Sequence, residues 1–273
     1  MIHILTALRC EAIPLIDAFR LQHQQDCRPF SLYLNDSIRL IISGTGKLAA
    51  AAATAYLASR FTRDTHASWL NIGIAGHPDL DTGMIRLTDR IIDHSSGQNW
   101  YPGLVSLATP ACTLLTVDSA QNGFITDACH DMEGSGFFAA ARHFTTCDNI
   151  QCLKIISDNR SRHHSKITPS FAGQLIAEQL DEIRQVVDVL QKHSRILAQQ
   201  QPEFDETQQF LDRWHFTTSQ QHRLQYLLQR WHALQPAESA FDHVTGLPPT
   251  SDTTRVLNFL QQQLDETAVE YPA

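Results

Sequence analysis

Three carboxylates, Glu11, Glu133 and Asp158, stand where short apolar runs end or where a glycine-bearing helix begins. Groups of this type can move a proton, hold a hydroxyl or stabilise a developing positive charge. Asp158 follows the apolar pair Ile155-Ile156, a place where an unpaired carboxylate is expensive to bury. It is either satisfied by backbone donors of the next loop or partly desolvated, able to keep a proton near neutral pH and deliver it. Glu11 has the same two readings, a helix cap or a functional acid, and its case rests on the company it keeps. In the stretch His130-Asp131-Met132-Glu133-Gly134-Ser135-Gly136-Phe137, Asp131 fits a helix N-cap and Glu133 a first-turn acid favoured by the helix dipole. Neither explains the two glycines, each costing roughly 1 kcal/mol relative to alanine in a helix, so something is expected to approach the backbone closely there.

The elements that must position these groups follow from hydrophobic period. Residues 2–8 read as a strand and 12–20 as a helix; 31–34 and 38–43 read as a hairpin about Asn35-Asp36; an alanine-rich helix covers 48–60. Further strands are expected over 69–74, 84–92, 113–117 and 153–156, with a helix over 136–144. This is an α/β pattern with a largely buried mixed sheet. In such sheets ligands sit beyond the carboxyl ends of strands. The runs here end in Arg9-Cys10-Glu11, Ser43-Gly44-Thr45-Gly46, Gly73-Ile74-Ala75-Gly76 and Ser157-Asp158-Asn159, so small residues and acids gather at one sheet edge. From about Phe171 only helices are expected, broken near Pro202, Pro236 and Pro248-Pro249. Their apolar stripes, Phe210, Leu211, Trp214 and then Leu224, Leu227, Leu228, Trp231, are expected to dock on the main domain or on a second subunit.

Composition removes several classes of function. A net charge of -8 argues against nucleic acid as a partner, because phosphate neutralisation needs clustered Lys and Arg. Arg9, Glu11 and Asp17 interrupt the apolar start before a secretory or membrane segment could form, so no membrane association is expected. The six cysteines contain no CxxC pair and the 14 histidines are scattered, which favours reduced thiols, a cytoplasmic setting and no metal.

Taken in order, these segments resemble the purine nucleoside phosphorylase and nucleosidase family, most closely its methylthioadenosine/S-adenosylhomocysteine nucleosidases. Ala7-Leu8-Arg9-Cys10-Glu11 is similar to A-M-x-x-E, Ser43 to Lys47 to S-G-I-G-K, and Asn71 to Gly76 to N-T-G-S-A-G. Asp131-Met132-Glu133-Gly134 resembles x-M-E-G/A, and Ile156-Ser157-Asp158 resembles I-S-D. The resemblance spans about residues 1–195. It implies a three-layer α/β/α catalytic domain with a mixed central sheet, followed over 196–273 by a helical extension, and a homodimer. It also implies that Glu133 holds ribose hydroxyls with Met132 packed on the sugar, Asp158 protonates the purine and Glu11 activates water, without metal or cofactor. Gly76, Ile74 and Ser157 would complete the purine nucleoside pocket.

Two departures bear on chemistry and substrate. The family's phosphorylases carry phosphate-binding arginines that this chain lacks at Glu11 and Asn71, which favours water as nucleophile, with Arg9 and Lys47 the nearby cations able to substitute. The segment supplying an aromatic wall in the nucleosidases is not recognisable. Phe124 is either its replacement or an ordinary core phenylalanine, and the substrate is left open between methylthioadenosine, a futalosine-type nucleoside and other modified purine nucleosides. A separate reading, dinucleotide binding through Gly44-Thr45-Gly46-Lys47-Leu48-Ala49, is weakened because the motif follows a later strand and the next strand lacks the ribose-binding acid. A non-catalytic nucleoside-binding descendant with a partner-binding tail is a further alternative.

Overall fold

The computed structural model describes residues 1–273 apart from 26, 63–65, 104–107, 121–122, 201–205, 236–237, 250 and 268–273. The chain divides into two compact units, Met1–Gln201 and Pro202–Ala273. In the first, the strands are β1 (Ile2–Thr6), β2 (Gln22–Gln24), β3 (Ser31–Leu34), β4 (Ile38–Ile42), β5 (Ser68–Gly76), β6 (Ile85–Asp93), β7 (Asn99–Trp100), β8 (Ala111–Thr116), β9 (Cys129–Asp131) and β10 (Ile150–Asp158). The helices are α1 (Arg9–Ala18), α2 (Lys47–Arg60), α3 (Gly134–Ala141), α4 (Pro169–Glu178) and α5 (Leu180–Gln200). The sheet is mixed. β1 lies between β4 and β5, and β5 beside β10, all parallel, whereas β6 runs antiparallel to β10. One face packs on α2 and α3 through Ala53, Leu57, Phe137 and Phe138; the other packs on α1, α4 and α5 through Leu15, Leu175, Ile183 and Val187. The expected three layers are therefore present.

A feature the period did not foretell positions the site. β6 pairs with β8, β8 with β9, and β9 returns to β5 at Gly76 opposite His130, closing five strands into a ring. β1 accompanies β5 only as far as Leu5 opposite Asn71. β10 holds the other edge of β5 all the way to Gly76, so between the end of β1 pairing at Asn71 and the start of β9 pairing at Gly76 one edge of β5 is left unpaired, and a cavity opens there. The hairpin about Asn35 is as expected, with Asn35 Oδ1 accepting from the N–H groups of Ser37 and Ile38 at 2.9 and 2.7 Å.

The glycines at the start of α3 have a packing explanation. A Cβ on Gly136 would lie 2.0 Å from the Lys47 carbonyl oxygen, and one on Gly134 would lie 2.5 Å from Leu114 Cδ2. What approaches the backbone is thus the first turn of α2 and a β8 side chain. Gly136→Ala is expected to push α2 and α3 apart and to cost about 3 kcal/mol, at or beyond the upper end of ordinary overpacking, read as a lowered thermal midpoint. A variant as stable as the parent would remove this contact as the reason for glycine.

In the second unit the helices are α6 (Thr207–Arg213), α7 (Thr218–Leu234), α8 (Ala240–Val244) and α9 (Thr253–Glu266). Phe210, Trp214, Leu224, Leu227, Leu228 and Trp231 are buried against Val256, Leu257, Leu260 and Leu264 of α9. The stripes read from the sequence as docking faces close on one another in a small core. Pro202 and Pro236, two of the expected breaks, lie outside the described residues, and the expected boundary at 195 falls inside α5, which is unbroken to Gln200. Among the described residues no helix is long and apolar enough to cross a membrane.

Candidate active site

The cavity at the unpaired edge of β5 measures about 200 Å³ and is lined by Glu11, Ile74, Gly76, Phe124, Met132, Glu133, Ser157 and Asp158 among others. All eight residues singled out in the sequence as catalytic or substrate-binding face this one space.

Glu11 is 2% exposed, and its position follows from the parting of the strands. Where β1 no longer pairs with β5, the Ile74 N–H is donated to Glu11 Oε1 at 3.0 Å, and Ala7 and Leu8 N–H groups are donated to Oε2 at 3.1 and 2.9 Å. Three acceptor sites of the carboxylate are thereby used, which leaves about one for a ligand or water. Burial pushes its pKa above the usual carboxylate range, against those backbone donors and the nearby Lys154 charge. A Cβ on Gly73 would sit 3.1 Å from Glu11 Oε1, so a side chain there would press on the carboxylate and shift it by a few tenths of an ångström.

Glu133 occupies the N-cap position of α3 rather than its first turn but makes no side-chain cap, whereas Asp131, the last residue of β9, accepts the first helical N–H, that of Gly134, at 2.8 Å. Glu133 Oε1 accepts the Gly46 N–H at 2.7 Å. Gly46 has φ +97 and ψ 151, a conformation open in practice to glycine alone, and its N–H opens α2. The anion position of the Gly44-to-Ala49 turn is therefore filled by the protein's own carboxylate, which removes the physical basis for dinucleotide phosphate at this place. Burial and the neighbouring Asp131 carboxylate raise the Glu133 pKa to about 7.

That value predicts a pH dependence with a definite sign. The folded protein holds the Glu133 proton more tightly than the unfolded chain, so the stabilisation is complete below pH 4.5 and is lost as pH rises through about 7. At about 1.4 kcal/mol per pH unit the loss is on the order of 3 kcal/mol. Glu133→Gln, which does not titrate, is expected to gain on the parent across that window in urea unfolding followed at several pH values. Parallel stability profiles for the two would overturn the assignment.

Asp158 owes its aim to a bulge. β10 and β5 are in register to Ile156 opposite Ala75, then Asp158 lies opposite Gly76, with Ser157 the extra residue. Ser157 Oγ donates to Asp158 Oδ1 at 2.6 Å. Asp158 Oδ2 would be 2.7 Å, and Phe124 Cε1 3.0 Å, from a Cβ on Gly76, so glycine there lets the acid and the ring meet over the strand. Phe124 is a half-buried wall of the cavity and not a core residue. Its ring stands edge-on to His130 at 5.3 Å, and His130 bonds the Ala128 carbonyl through Nδ1 at 2.9 Å. Burial lowers the His130 pKa, consistent with a neutral ring.

Sequence reasoning missed Lys154. It is 1% exposed in the middle of β10, with Nζ 2.8 Å from Asp131 Oδ2 and donating to Asn71 Oδ1 at 2.6 Å. Asp131 also accepts from Thr116 Oγ1 at 2.7 Å and from the Gly134 N–H at 2.8 Å. Burial works against the Lys154 charge, but the Asp131 carboxylate, with Cys152 and Glu133 beside it, outweighs burial and raises its pKa. The available signal was a single lysine inside the apolar run 153–156, which must find an anion to be tolerated. The two cations offered as phosphate ligands are elsewhere: Arg9 is exposed, and Lys47 is held by Asp93 at 3.0 Å and Asp118 at 2.7 Å. Among the described residues lining the cavity there is no lysine or arginine.

The fold of the first unit is similar to that of several solved nucleosidases. About two thirds of the chain superposes on nearly the whole of several solved nucleosidases. Arabidopsis thaliana 5'-methylthioadenosine nucleosidase is 17% identical with a TM-score of 0.59, covering 69% of this chain and 95% of that one. A 5'-methylthioadenosine/S-adenosylhomocysteine nucleosidase from Colwellia psychrerythraea, solved with adenine, is 20% identical over 69% of this chain and 93% of that one, with a TM-score of 0.54. Futalosine hydrolase of Helicobacter pylori is 15% identical over 66% and 97%, with a TM-score of 0.52. At these identities the likeness is one of fold. No family model matches the chain, and no curated protein matches it in sequence.

Proposed function

We propose that the protein hydrolyses the N-glycosidic bond of an uncharged purine nucleoside, with Asp158 as general acid and Glu11 as the group that activates water. The observation that carries this reading is the meeting of Glu11, Glu133 and Asp158, from three separate segments, in one cavity with apolar walls and no lysine or arginine among its described lining residues. Departure of a purine leaves an oxocarbenium-like sugar, which carboxylates stabilise and cations oppose. Asp158 Oδ2, beside Gly76 and Phe124, faces the base and gives its proton to the leaving purine. Glu133 keeps Oε2 for the ribose hydroxyls while Oε1 is fixed by Gly46, and Met132 packs on the sugar. The remaining acceptor site of Glu11 takes a water and then its proton. A carboxylate whose proton affinity is raised by burial is a stronger base than an exposed one.

The absence of arginine at the positions of Glu11 and Asn71 supports water over phosphate as nucleophile, and the engaged state of Lys47 supports it further. The homodimer and cytoplasmic setting implied by the sequence belong with this reading. The test is chromatography of free base from a panel of purine nucleosides, including methylthioadenosine and a futalosine-type nucleoside, with and without phosphate. Release independent of phosphate is expected. Release only with phosphate would make the protein a phosphorylase, and binding without release would make it a nucleoside-binding descendant of the fold.

A further inference from the structure

The sequence contains no CxxC pair, but the fold brings two distant cysteines together. Cys112 on β8 and Cys129 on β9 are 17 positions apart, and their sulfurs lie 3.1 Å from each other. Cys129 is 2% exposed, whereas Cys112 is only partly buried and is the more accessible of the two. A disulfide is about 2.05 Å long, so closure asks the sulfurs to approach by about 1 Å. The segment between them carries Val117, Ala120, Gly123 and Phe124, one wall of the cavity, and β9 leads directly into Asp131 and Glu133.

We propose that Cys112 and Cys129 form a reversible intramolecular disulfide by exchange with a low-molecular-weight disulfide of the glutathione class, stapling the base of the cavity wall that carries Phe124. The Cys112 thiolate attacks one sulfur of the small disulfide and expels its partner as a thiol. Cys129, deprotonated, then attacks Cys112 Sγ and displaces the second small thiol. Two protein thiols lose two protons and two electrons, and the small disulfide is reduced to two thiols. The order of events follows from access. The shared hydrogen between the sulfurs acts in the same direction: donation from Cys129 lowers the pKa of Cys112, and the same bond together with burial raises that of Cys129. The modification rests on the thiol positions and not on the proposed reaction, so it is read without turnover.

The experiment incubates the full chain with excess oxidised glutathione, quenches by alkylation and maps the cysteine peptides. The expected result is a Cys112–Cys129 linked peptide, absent after dithiothreitol, with Cys147, which is exposed, left as a glutathionyl adduct. Cys129→Ser should stop at a glutathionyl adduct on Cys112. Amide exchange at Phe124 and Ile125 should slow in the oxidised parent. Both thiols remaining alkylatable, or a Cys112 adduct that does not resolve in the parent, overturns the disulfide; unchanged exchange with the bridge formed overturns the stapling.

Discussion

Asp158→Asn is expected to lower kcat/KM for nucleoside hydrolysis by about 10²–10⁴ while the protein stays folded and still binds a nucleoside analogue. The substitution preserves shape and an acceptor for Ser157 Oγ, now 2.6 Å from Asp158 Oδ1, so the bulge that aims the residue has no reason to rearrange. In the proposed mechanism what it removes is the group that hands a proton to the departing purine. Oδ2 lies over Gly76, where a Cβ would stand 2.7 Å from it, so the place of the acid depends on glycine at that position. Circular dichroism and calorimetric binding of an uncleavable analogue separate loss of chemistry from loss of fold. Rates equal to the parent would remove Asp158 from the mechanism, whereas loss of analogue binding would show that it holds the base rather than protonates it.

Lys154→Met is expected to destabilise the first unit by about 3–5 kcal/mol. The ammonium sits at 2.8 Å from Asp131 and its charge also reaches Glu11 and Glu133, so its removal leaves buried carboxylates facing one another without a cation. At roughly 2–4 °C per kcal/mol for a unit of this size, the thermal midpoint should fall by roughly 6–20 °C. The double variant Lys154→Met, Asp131→Asn should recover part of that loss, since an uncompensated buried charge costs more than a neutral pair. The same single change should raise the Glu133 pKa further above about 7 and steepen the loss of stability toward alkaline pH. A midpoint unchanged from the parent would mean that the ion pair does not hold the site together.

Much of the frame was legible in the chain. The run of Ile2 to Thr6, the Asn35 hairpin and the alanine-rich α2 announce themselves by period and turn chemistry, because burial of one face imposes that period locally. Element ends were less legible. The expected helix over 136–144 begins at Gly134, and β10 starts at Ile150, since pairing with β5 recruits Gln151 and Cys152 that alternation alone would leave out. The short strands β2, β7 and β9 carry almost no pattern of their own and exist through their partners.

Residue types determined by themselves which groups could do chemistry: Glu11, Glu133 and Asp158 mark their places because an acid beside apolar runs and glycines needs a reason to be there. Only the tertiary structure decided that they share a cavity. That depends on β9 returning to Gly76 while β1 leaves β5 at Asn71, two long-range pairings set by the closing of the sheet and not by any local preference. The structure likewise identified what approaches the glycines of α3, the Lys47 carbonyl at Gly136 and the Leu114 side chain at Gly134, and it brought Lys154 under the site and Cys112 beside Cys129. A carboxylate in sequence is a capability. Its neighbours in space, through burial, donated N–H groups and one buried ammonium, set its charge and its aim.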